Sequence, residues 1–250
     1  MLNYQIHGNG KSIVFLHGFL ESSSMWSNLD LQELNTQNIF IDLPGHGASE
    51  LNDFSEKPSI DFMADEVLKV LNLLTLESYS IIGHSMGGYV GLLLKEMDSR
   101  CKKIVLVNSN FWADTEQKKK DRIRVAEIAF KAKNIFLQEA IPHLFAMPEK
   151  YLSKVEELKN EASKILPESI AYSALAMRER KDYTEELKTN PSDYFIIHGM
   201  LDRLVDTDFL REQLISDKNL FILENAGHMA HIEQSDEVLG ILKEILLSKI

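Results

Sequence analysis

Short apolar runs that end in turns alternate along this chain with segments whose apolar residues recur at helical spacing. That alternation is typical of a parallel β-sheet covered by helices. The sequence therefore predicts an α/β fold, with a mostly parallel sheet and helices on both of its faces. Only one short strand fits before Ser12, so we expect a shortened amino-terminal hairpin. The predicted strands are Leu2–Ile6, Ser12–Leu16, Asn38–Asp42, Tyr79–Gly83, Ile104–Asn108, Tyr194–His198 and Leu220–Leu223.

Helices are predicted between these strands from apolar periodicity and from capping residues. Residues 60–74 place apolar side chains at helical spacing, and Ser59 is the expected N-cap. A second helix is predicted over Met86–Met97, directly after an apolar strand. The last helix is predicted to begin near Asp236, behind Ser235, and to run to the carboxyl end.

The segment Phe111–Asn190 interrupts the alternation, because it is rich in Lys, Glu and Ala and has no clear strand. Proline is tolerated where a helix starts but breaks a helix interior, so its prolines predict several helices with short joints. A crossover between parallel strands needs only about a dozen residues, and the excess favours an inserted helical lid over ordinary crossover helices. We therefore expect an α/β-hydrolase-like core over 1–110 and 191–250, with a lid over 111–190. The prolines are Pro142, Pro148, Pro167 and Pro191.

Composition narrows the class of function. The chain has 250 residues and a formal net charge of −11, which predicts one domain and no nucleic-acid partner, since phosphate binding requires a basic surface. The single cysteine, Cys101, excludes an internal disulfide and is expected in the core. No apolar run reaches the length of a membrane span, and Met1–Gly10 lacks the apolar core of a signal peptide. We expect a cytoplasmic protein with a small-molecule substrate and neither a metal nor a cofactor.

The segment Gly83-His84-Ser85-Met86-Gly87 lies between an apolar strand and an apolar helix. This strand–turn–helix context is what the G-x-S-x-G nucleophile elbow requires. The sharp turn places its serine in strained geometry, and the flanking glycines avoid collisions. The turn also directs the first N–H groups of the helix toward the reaction centre. Ser85 is therefore the predicted nucleophile, and the alternative is an ordinary glycine-rich turn.

Four further segments carry a resemblance that spans the chain. With these segments and the elbow, the chain resembles the small, lidded serine branch of the α/β-hydrolase superfamily. The resemblance implies a serine nucleophile, an acid and a histidine in that order along the chain. The segments are His17-Gly18-Phe19, Asp42-Leu43-Pro44-Gly45-His46-Gly47-Ala48-Ser49, Gly199-Met200-Leu201-Asp202 and Asn225-Ala226-Gly227-His228.

A serine hydroxyl needs an adjacent base to act as a nucleophile at neutral pH. His228 is the predicted base, because it follows the last strand on a glycine-containing loop, and His231 is its close competitor. Asp202 is the predicted acid that orients the base, with Asp206 and Asp208 as alternatives. Asp206 is also the expected N-cap of the following helix. Other histidines at strand ends and turns are expected to support loops through hydrogen bonds: His17, His46, His84 and His198.

Acyl transfer places negative charge on one oxygen, which two fixed N–H donors can stabilise. The backbone N–H of Met86 is the first predicted donor, and resemblance to the family points to the N–H of Phe19 as the second. In the lid, Arg122 or Arg124 could bind a substrate carboxylate, although a basic run is commonly a solvated helix face. The candidate pocket walls, which core packing explains equally well, are Trp26, Tyr89, Phe111, Trp112 and Phe145.

These residues predict hydrolysis of a small carboxylic ester or thioester through an acyl-Ser85 intermediate. The dehalogenase and epoxide-hydrolase branches resemble the chain too, but they use aspartate at the elbow. The chain also resembles the menaquinone-pathway synthase branch, which would imply carbon–carbon cleavage or a lyase reaction, but that branch carries an arginine where this chain has Tyr89. A third alternative is a ligand-binding receptor that keeps the triad and turns over slowly.

Overall fold

The computed structural model describes residues 1–51, 57–214 and 216–247, and in these residues seven strands form one sheet. The strands are β1 Tyr4–His7, β2 Ser12–Leu16, β3 Gln37–Ile41, β4 Tyr79–His84, β5 Cys101–Val107, β6 Tyr194–Gly199 and β7 Leu220–Leu223. Their order across the sheet is β1-β3-β2-β4-β5-β6-β7. β1 is antiparallel to β3, and every other neighbouring pair is parallel. The predicted fold class is confirmed.

Helices connect the strands and cover both faces of the sheet. The side chain of Ser59 caps the first helix as predicted, accepting a hydrogen bond from the N–H of Phe62 at 3.1 Å. The predicted end of the last helix falls on 248–250, outside the described residues. None of the described helices is both long and apolar enough to cross a lipid bilayer. The helices are α1 Ile60–Leu73, α2 Met86–Met97, α3 Glu116–Ala140, α4 Leu152–Lys164, α5 Pro167–Arg178, α6 Thr184–Thr189, α7 Thr207–Gln213, α8 Ala230–Glu233 and α9 Ser235–Leu247.

Alternating side chains of the strands create a core on each face of the sheet. In β2, Val14 and Leu16 pack into the apolar cluster that contains α1 and α2. Ile13 and Phe15 point to the opposite face and pack with α9. Successive side chains of a strand face opposite sides, so a strand buried on both faces is apolar throughout.

The described residues between β5 and β6 are helical and contain no strand. α3 to α6 lie here, and α3 is kinked at Ala132. α3, α4 and α5 share an apolar cluster with Leu20 and Met229 of the core. Each proline in this stretch occupies the first position of a helix or a 3-10 turn, where its missing N–H costs nothing.

The chain order places the candidate site at one edge of the sheet. β3 and β4 flank β2 on opposite sides, so the direction of the strand order switches between β2 and β4. In open α/β sheets, ligands bind beyond the carboxyl ends of the strands at such a switch point. Ser85 follows β4, Asp202 follows β6 and His228 follows β7, which brings all three to this edge.

Candidate active site

Ser85 lies at the tip of a sharp turn between β4 and α2. Its φ of 47° and ψ of −114° lie outside the regions that L-residues favour. The turn needs glycine on both sides, because a Cβ on Gly83 would lie 2.6 Å from the carbonyl oxygen of Gly87, and one on Gly87 would lie 2.3 Å from that of Leu16. The strained turn presents the Ser85 side chain to a cavity beyond the sheet.

His228 and Asp202 are hydrogen-bonded to each other. Nδ1 of His228 lies 2.8 Å from Oδ2 of Asp202, so in the neutral ring this nitrogen donates to the carboxylate and Nε2 is the acceptor. Asn108 donates to the same oxygen at 3.0 Å, and the N–H groups of Leu204 and Val205 donate to the other at 2.8 and 3.2 Å. Burial alone would raise the pKa of Asp202, but His228, His198 and the hydrogen bond from Asn108 hold the pKa well below its usual value.

The competing acids and the competing histidine occupy other places. Asp206 caps α7 as predicted, accepting from the N–H of Phe209 at 2.7 Å, although it also lines the cavity. The side chain of Asp208 is exposed beside Arg211. His231 is fully buried against Trp26, and neither of its ring nitrogens has a hydrogen-bond partner among the described residues.

The two predicted oxyanion donors belong to the start of α2 and to the loop after β2. Met86 is the first residue of α2, where backbone N–H groups have no partner within the helix. Phe19 lies on the loop after β2 and lines the cavity with Ser85. The close packing of Gly87 on Leu16 holds the elbow against the end of β2, the strand that leads to Phe19.

A buried ion pair between Glu21 and His84 supports this loop, and the sequence pattern did not predict it. Oε2 of Glu21 accepts hydrogen bonds from the N–H of Gly18 at 2.6 Å and from Nδ1 of His84 at 2.9 Å. Nε2 of His84 donates to the carbonyl oxygen of His228 at 2.9 Å. Burial alone would raise the pKa of Glu21, but His84 lowers it to about 2. Burial alone would lower the pKa of His84, but Glu21 raises it above its usual value. A charged His84 therefore links the loop after β2 to the backbone of His228, the predicted base.

Ser85 and His228 line one cavity of about 590 Å³, a size suited to a small organic ligand. Three predicted pocket residues, Tyr89, Trp112 and Arg122, line it as well. Apolar side chains from both the core and the helical stretch form much of the remaining wall: Phe19, Phe136, Leu144, Met177, Val205 and Phe209.

The other four pocket predictions are corrected by the structure. Trp26 packs against Phe15 in the core below the sheet, with ring centroids 5.3 Å apart. Phe111 is buried in the cluster on the other face. Phe145 belongs to the cluster of the helical stretch. The side chain of Arg124 is 67% exposed and pairs with Asp121 on the same helix. The apolar character of Trp26, Phe111 and Phe145 suits a pocket wall and a core position equally well, and the packing of each side chain decides between the two.

Asp114 and Arg180 are cavity residues that the sequence did not reveal. Asp114 is buried and accepts from two guanidinium groups, at 2.5 Å from Nη1 of Arg180 and 3.1 Å from Nε of Arg122. The guanidinium of Arg180 lies 4.3 Å from the ring centroid of Tyr89. Because Asp114 and Arg180 are far apart along the chain, no local sequence pattern marks their pairing. Two cations thus share one carboxylate in the wall of the cavity.

The described residues contain no cluster of three or more His, Cys, Asp or Glu side chains that could hold a metal ion.

Comparisons with known proteins find the same fold. A model of the alpha/beta hydrolase family matches residues 13–241. The chain is 26% identical to 3-oxoadipate enol-lactonase 1 of Acinetobacter baylyi, over 99% of this chain and 93% of that protein. It is also 26% identical to 2-succinyl-6-hydroxy-2,4-cyclohexadiene-1-carboxylate synthase of Salmonella typhimurium, over 94% and 93%. The solved structure of a thermophilic esterase from Thermogutta terrifontis, with malate bound, matches with a TM-score of 0.86 and 25% identity, over 98% of this chain and 93% of that one.

Proposed function

Because the chain belongs to the alpha/beta hydrolase family, we propose that it is a serine hydrolase that cleaves a small carboxylic ester or thioester. The observation that carries this proposal is the His228–Asp202 hydrogen bond, whose imidazole lines the same cavity as Ser85. An imidazole held by a carboxylate at one nitrogen has the other nitrogen available as a base. The hydrolytic reaction class follows from the family, and the serine mechanism is our proposal.

In the first half of the reaction, Oγ of Ser85 attacks the substrate carbonyl carbon while Nε2 of His228 takes the proton of the Ser85 hydroxyl. The oxygen of the resulting tetrahedral intermediate accepts from the backbone N–H groups of Phe19 and Met86. Asp202 stabilises the imidazolium that forms. The carbon–oxygen or carbon–sulfur bond then breaks, and His228 returns the proton to the departing alcohol or thiol.

In the second half, a water molecule attacks the acyl-Ser85 ester while His228 takes its proton. Collapse of this second intermediate releases the carboxylic acid and returns the proton to Ser85. The sum is one water consumed per bond cleaved, with no cofactor.

We also propose that residues 111–190 form a lid over Ser85. Trp112, Phe136 and Leu144 line the cavity from this segment, and Phe19 and Val205 line it from the core. Largely apolar walls favour an apolar acyl or leaving group, because its burial contributes about 25 cal/mol per Å².

A fluorophosphonate probe with intact-mass and peptide readout tests the nucleophile. We expect one adduct on Ser85, no adduct in Ser85→Ala, and much slower labelling in His228→Ala. His143→Ala is the matched control, because His143 lines the same cavity but bonds to the carbonyl oxygen of Glu139. Labelling that survives Ser85→Ala, or equal slowing in both histidine variants, contradicts the proposal.

A second candidate is carbon–carbon cleavage or a lyase reaction on a substrate that carries a carboxylate. The observation that favours it is the arginine pair in the cavity. The synthase branch that the chain resembles carries an arginine at the position of Tyr89, and here the guanidinium of Arg180 lies over that ring. Arg180 already donates to Trp112, Asn110, Met177 and Asp114. Arg122 uses its Nε for Asp114, so the terminal N–H groups of Arg122 are the ones that would receive the carboxylate.

Isotope labelling and product analysis together separate the two candidates. Hydrolysis in ¹⁸O-water places one ¹⁸O atom in the product acid, whereas an elimination places none. Hydrolytic carbon–carbon cleavage also places one ¹⁸O atom, but its second product has a new carbon–hydrogen bond, whereas ester or thioester hydrolysis releases an alcohol or a thiol. In a panel of neutral and carboxylate-bearing esters, Arg122→Gln should raise KM for the carboxylate-bearing esters alone. Equal KM changes for both kinds of ester would remove the argument from arginine, and Arg124→Gln is the exposed control.

A further inference from the structure

Glu233 is a buried carboxylate on α8, and it bridges two loops. Its Oε2 accepts from the N–H of Gly227 at 2.7 Å, and its Oε1 accepts from the N–H of Ala146 at 2.8 Å. Gly227 directly precedes the proposed base, whereas Ala146 lies in the helical stretch between β5 and β6. A single side chain thus joins the loop of the base to the proposed lid.

The two loops also contact each other directly. The backbone N–H of His228 donates to the carbonyl oxygen of Leu144 at 2.8 Å. A Cβ on Gly227 would lie 2.6 Å from the backbone nitrogen of Ala146, so the backbones approach too closely for a side chain. Tyr151 adds a hydrogen bond from its hydroxyl to the carbonyl oxygen of Glu233 at 2.9 Å.

Backbone amides surround the carboxyl group of Glu233. Burial raises its pKa above the usual value, and hydrogen bonds from the N–H groups of Gly227, Ala146, Met147 and Met229 offset part of that rise by favouring the charged form. Hydrogen bonds to an ionised acceptor are about twice as strong as neutral ones. The side chain therefore fixes main-chain positions on both loops.

We propose that Glu233 is a positioning residue for the general base: it holds the Gly227-His228 loop against residues 144–147, so that the imidazole keeps its orientation toward Ser85. This inference rests on the proposed function, because it takes His228 as the base. Glu233 itself does not line the cavity and acts through the backbone of its neighbour. Three side chains thus hold different parts of the base. Asp202 bonds to the ring of His228, and His84 bonds to the carbonyl oxygen of His228. Glu233 bonds to the loop that precedes His228.

Two substitutions test this role. Glu233→Gln keeps the shape but leaves one acceptor oxygen, and its NH₂ group faces an N–H donor. Glu233→Asp keeps the charge but is one methylene shorter, so it cannot reach both loops. Glu224→Gln is the matched control, because Glu224 is exposed just before the same loop.

We expect kcat for a p-nitrophenyl ester to fall by about tenfold to a hundredfold in both Glu233 variants, because a displacement of about 1 Å can cost that much. KM should change by less than about twofold, since ground-state binding in the cavity is untouched. Glu224→Gln should match the parent in both constants.

A second readout needs no substrate. The proton on Nδ1 of His228, which donates to Asp202, should give a downfield ¹H resonance that is lost in His228→Gln. We expect faster solvent exchange of this proton in Glu233→Gln and Glu233→Asp, but not in Glu224→Gln. A merely structural role would lower the melting temperature and leave this resonance unchanged in the folded protein.

Unchanged kcat and an unchanged resonance in either folded Glu233 variant overturn the proposal. Absence of ester hydrolysis and probe labelling in the parent defeats the proposed function instead, and the resonance still tests the bridge. Tyr151→Phe serves should both Glu233 variants fail to fold, because it removes only the hydroxyl that donates to the carbonyl oxygen of Glu233. It should change the exchange of the same proton in the same direction.

Discussion

Replacing Glu21 by glutamine should destabilise the protein in a pH-dependent way. The Glu21 carboxylate accepts from both the N–H of Gly18 and the ring of His84 in a fully buried pair. Glutamine keeps the volume but offers one acceptor oxygen and no charge. His84 then loses the anion that keeps it protonated, and its hydrogen bond to the carbonyl oxygen of His228 loses its charged donor.

The magnitude follows from the pKa of Glu21, which falls from 4.5 to about 2 on folding. A depressed carboxyl pKa stabilises the folded state above the unfolded pKa, and that stabilisation is lost as pH falls toward the folded pKa. The shift corresponds to about 3 kcal/mol near pH 5.5, decreasing to about 1.5 kcal/mol at pH 3. His84 has a raised pKa, so its share is present below pH 6.5 and is lost as pH rises through its folded pKa.

Urea unfolding followed by tryptophan fluorescence measures this difference. At pH 5.5, where both contributions are present, Glu21→Gln should lower the free energy of unfolding by about 3 kcal/mol. At pH 3 the gap between parent and variant should shrink to about half. Glu77→Gln is the control: this residue is exposed, and its replacement should change stability by less than about 0.5 kcal/mol at either pH. A loss below about 1 kcal/mol at pH 5.5, or a gap that does not change with pH, refutes the ion pair as described.

Two other substitutions have matched controls within the chain. Asp202→Asn should lower kcat by about ten-thousand-fold, because it leaves His228 in the wrong tautomer. Asp206→Asn should leave kcat near the parent value, since asparagine also caps helices well. Steady-state ester hydrolysis measures both variants, and a larger loss in Asp206→Asn than in Asp202→Asn would contradict the assignment of the acid. Gly87→Ala should destabilise the protein by about 1–3 kcal/mol or more, because its Cβ would lie 2.3 Å from a backbone oxygen. Gly240→Ala has no atom within 4 Å of the new Cβ and lies inside α9, so it should stabilise by about 0.5–1 kcal/mol; a destabilising Gly240→Ala or a neutral Gly87→Ala in urea unfolding contradicts this packing.

Strands and helix starts were predictable because their signals are local. β2 and β7 match their predicted bounds, and Ser59 and Asp206 cap the helices expected of them. β1 begins at Tyr4 rather than Leu2, although Leu2 is buried, because apolar character marks burial and not pairing.

The lining of the cavity depends on distant pairs and was only partly predictable. Asp114 is paired with Arg180 on the far side of the helical stretch, and Glu21 with His84 across two strands. The sequence spacing of these residues does not distinguish a buried ion pair from charged side chains on the solvated surface. Trp26 was open to either interpretation from the sequence, and in the structure it lies in a 3-10 turn and packs into the core.

Rapid-quench mass spectrometry during turnover of p-nitrophenyl acetate tests the acyl-serine mechanism most directly. The mechanism predicts a burst of p-nitrophenol with an acetyl group on the peptide that contains Ser85, which decays at the rate of turnover and is absent in Ser85→Ala. Turnover that persists in Ser85→Ala, or an acetyl group that accumulates on another residue at the rate of the burst, would contradict it.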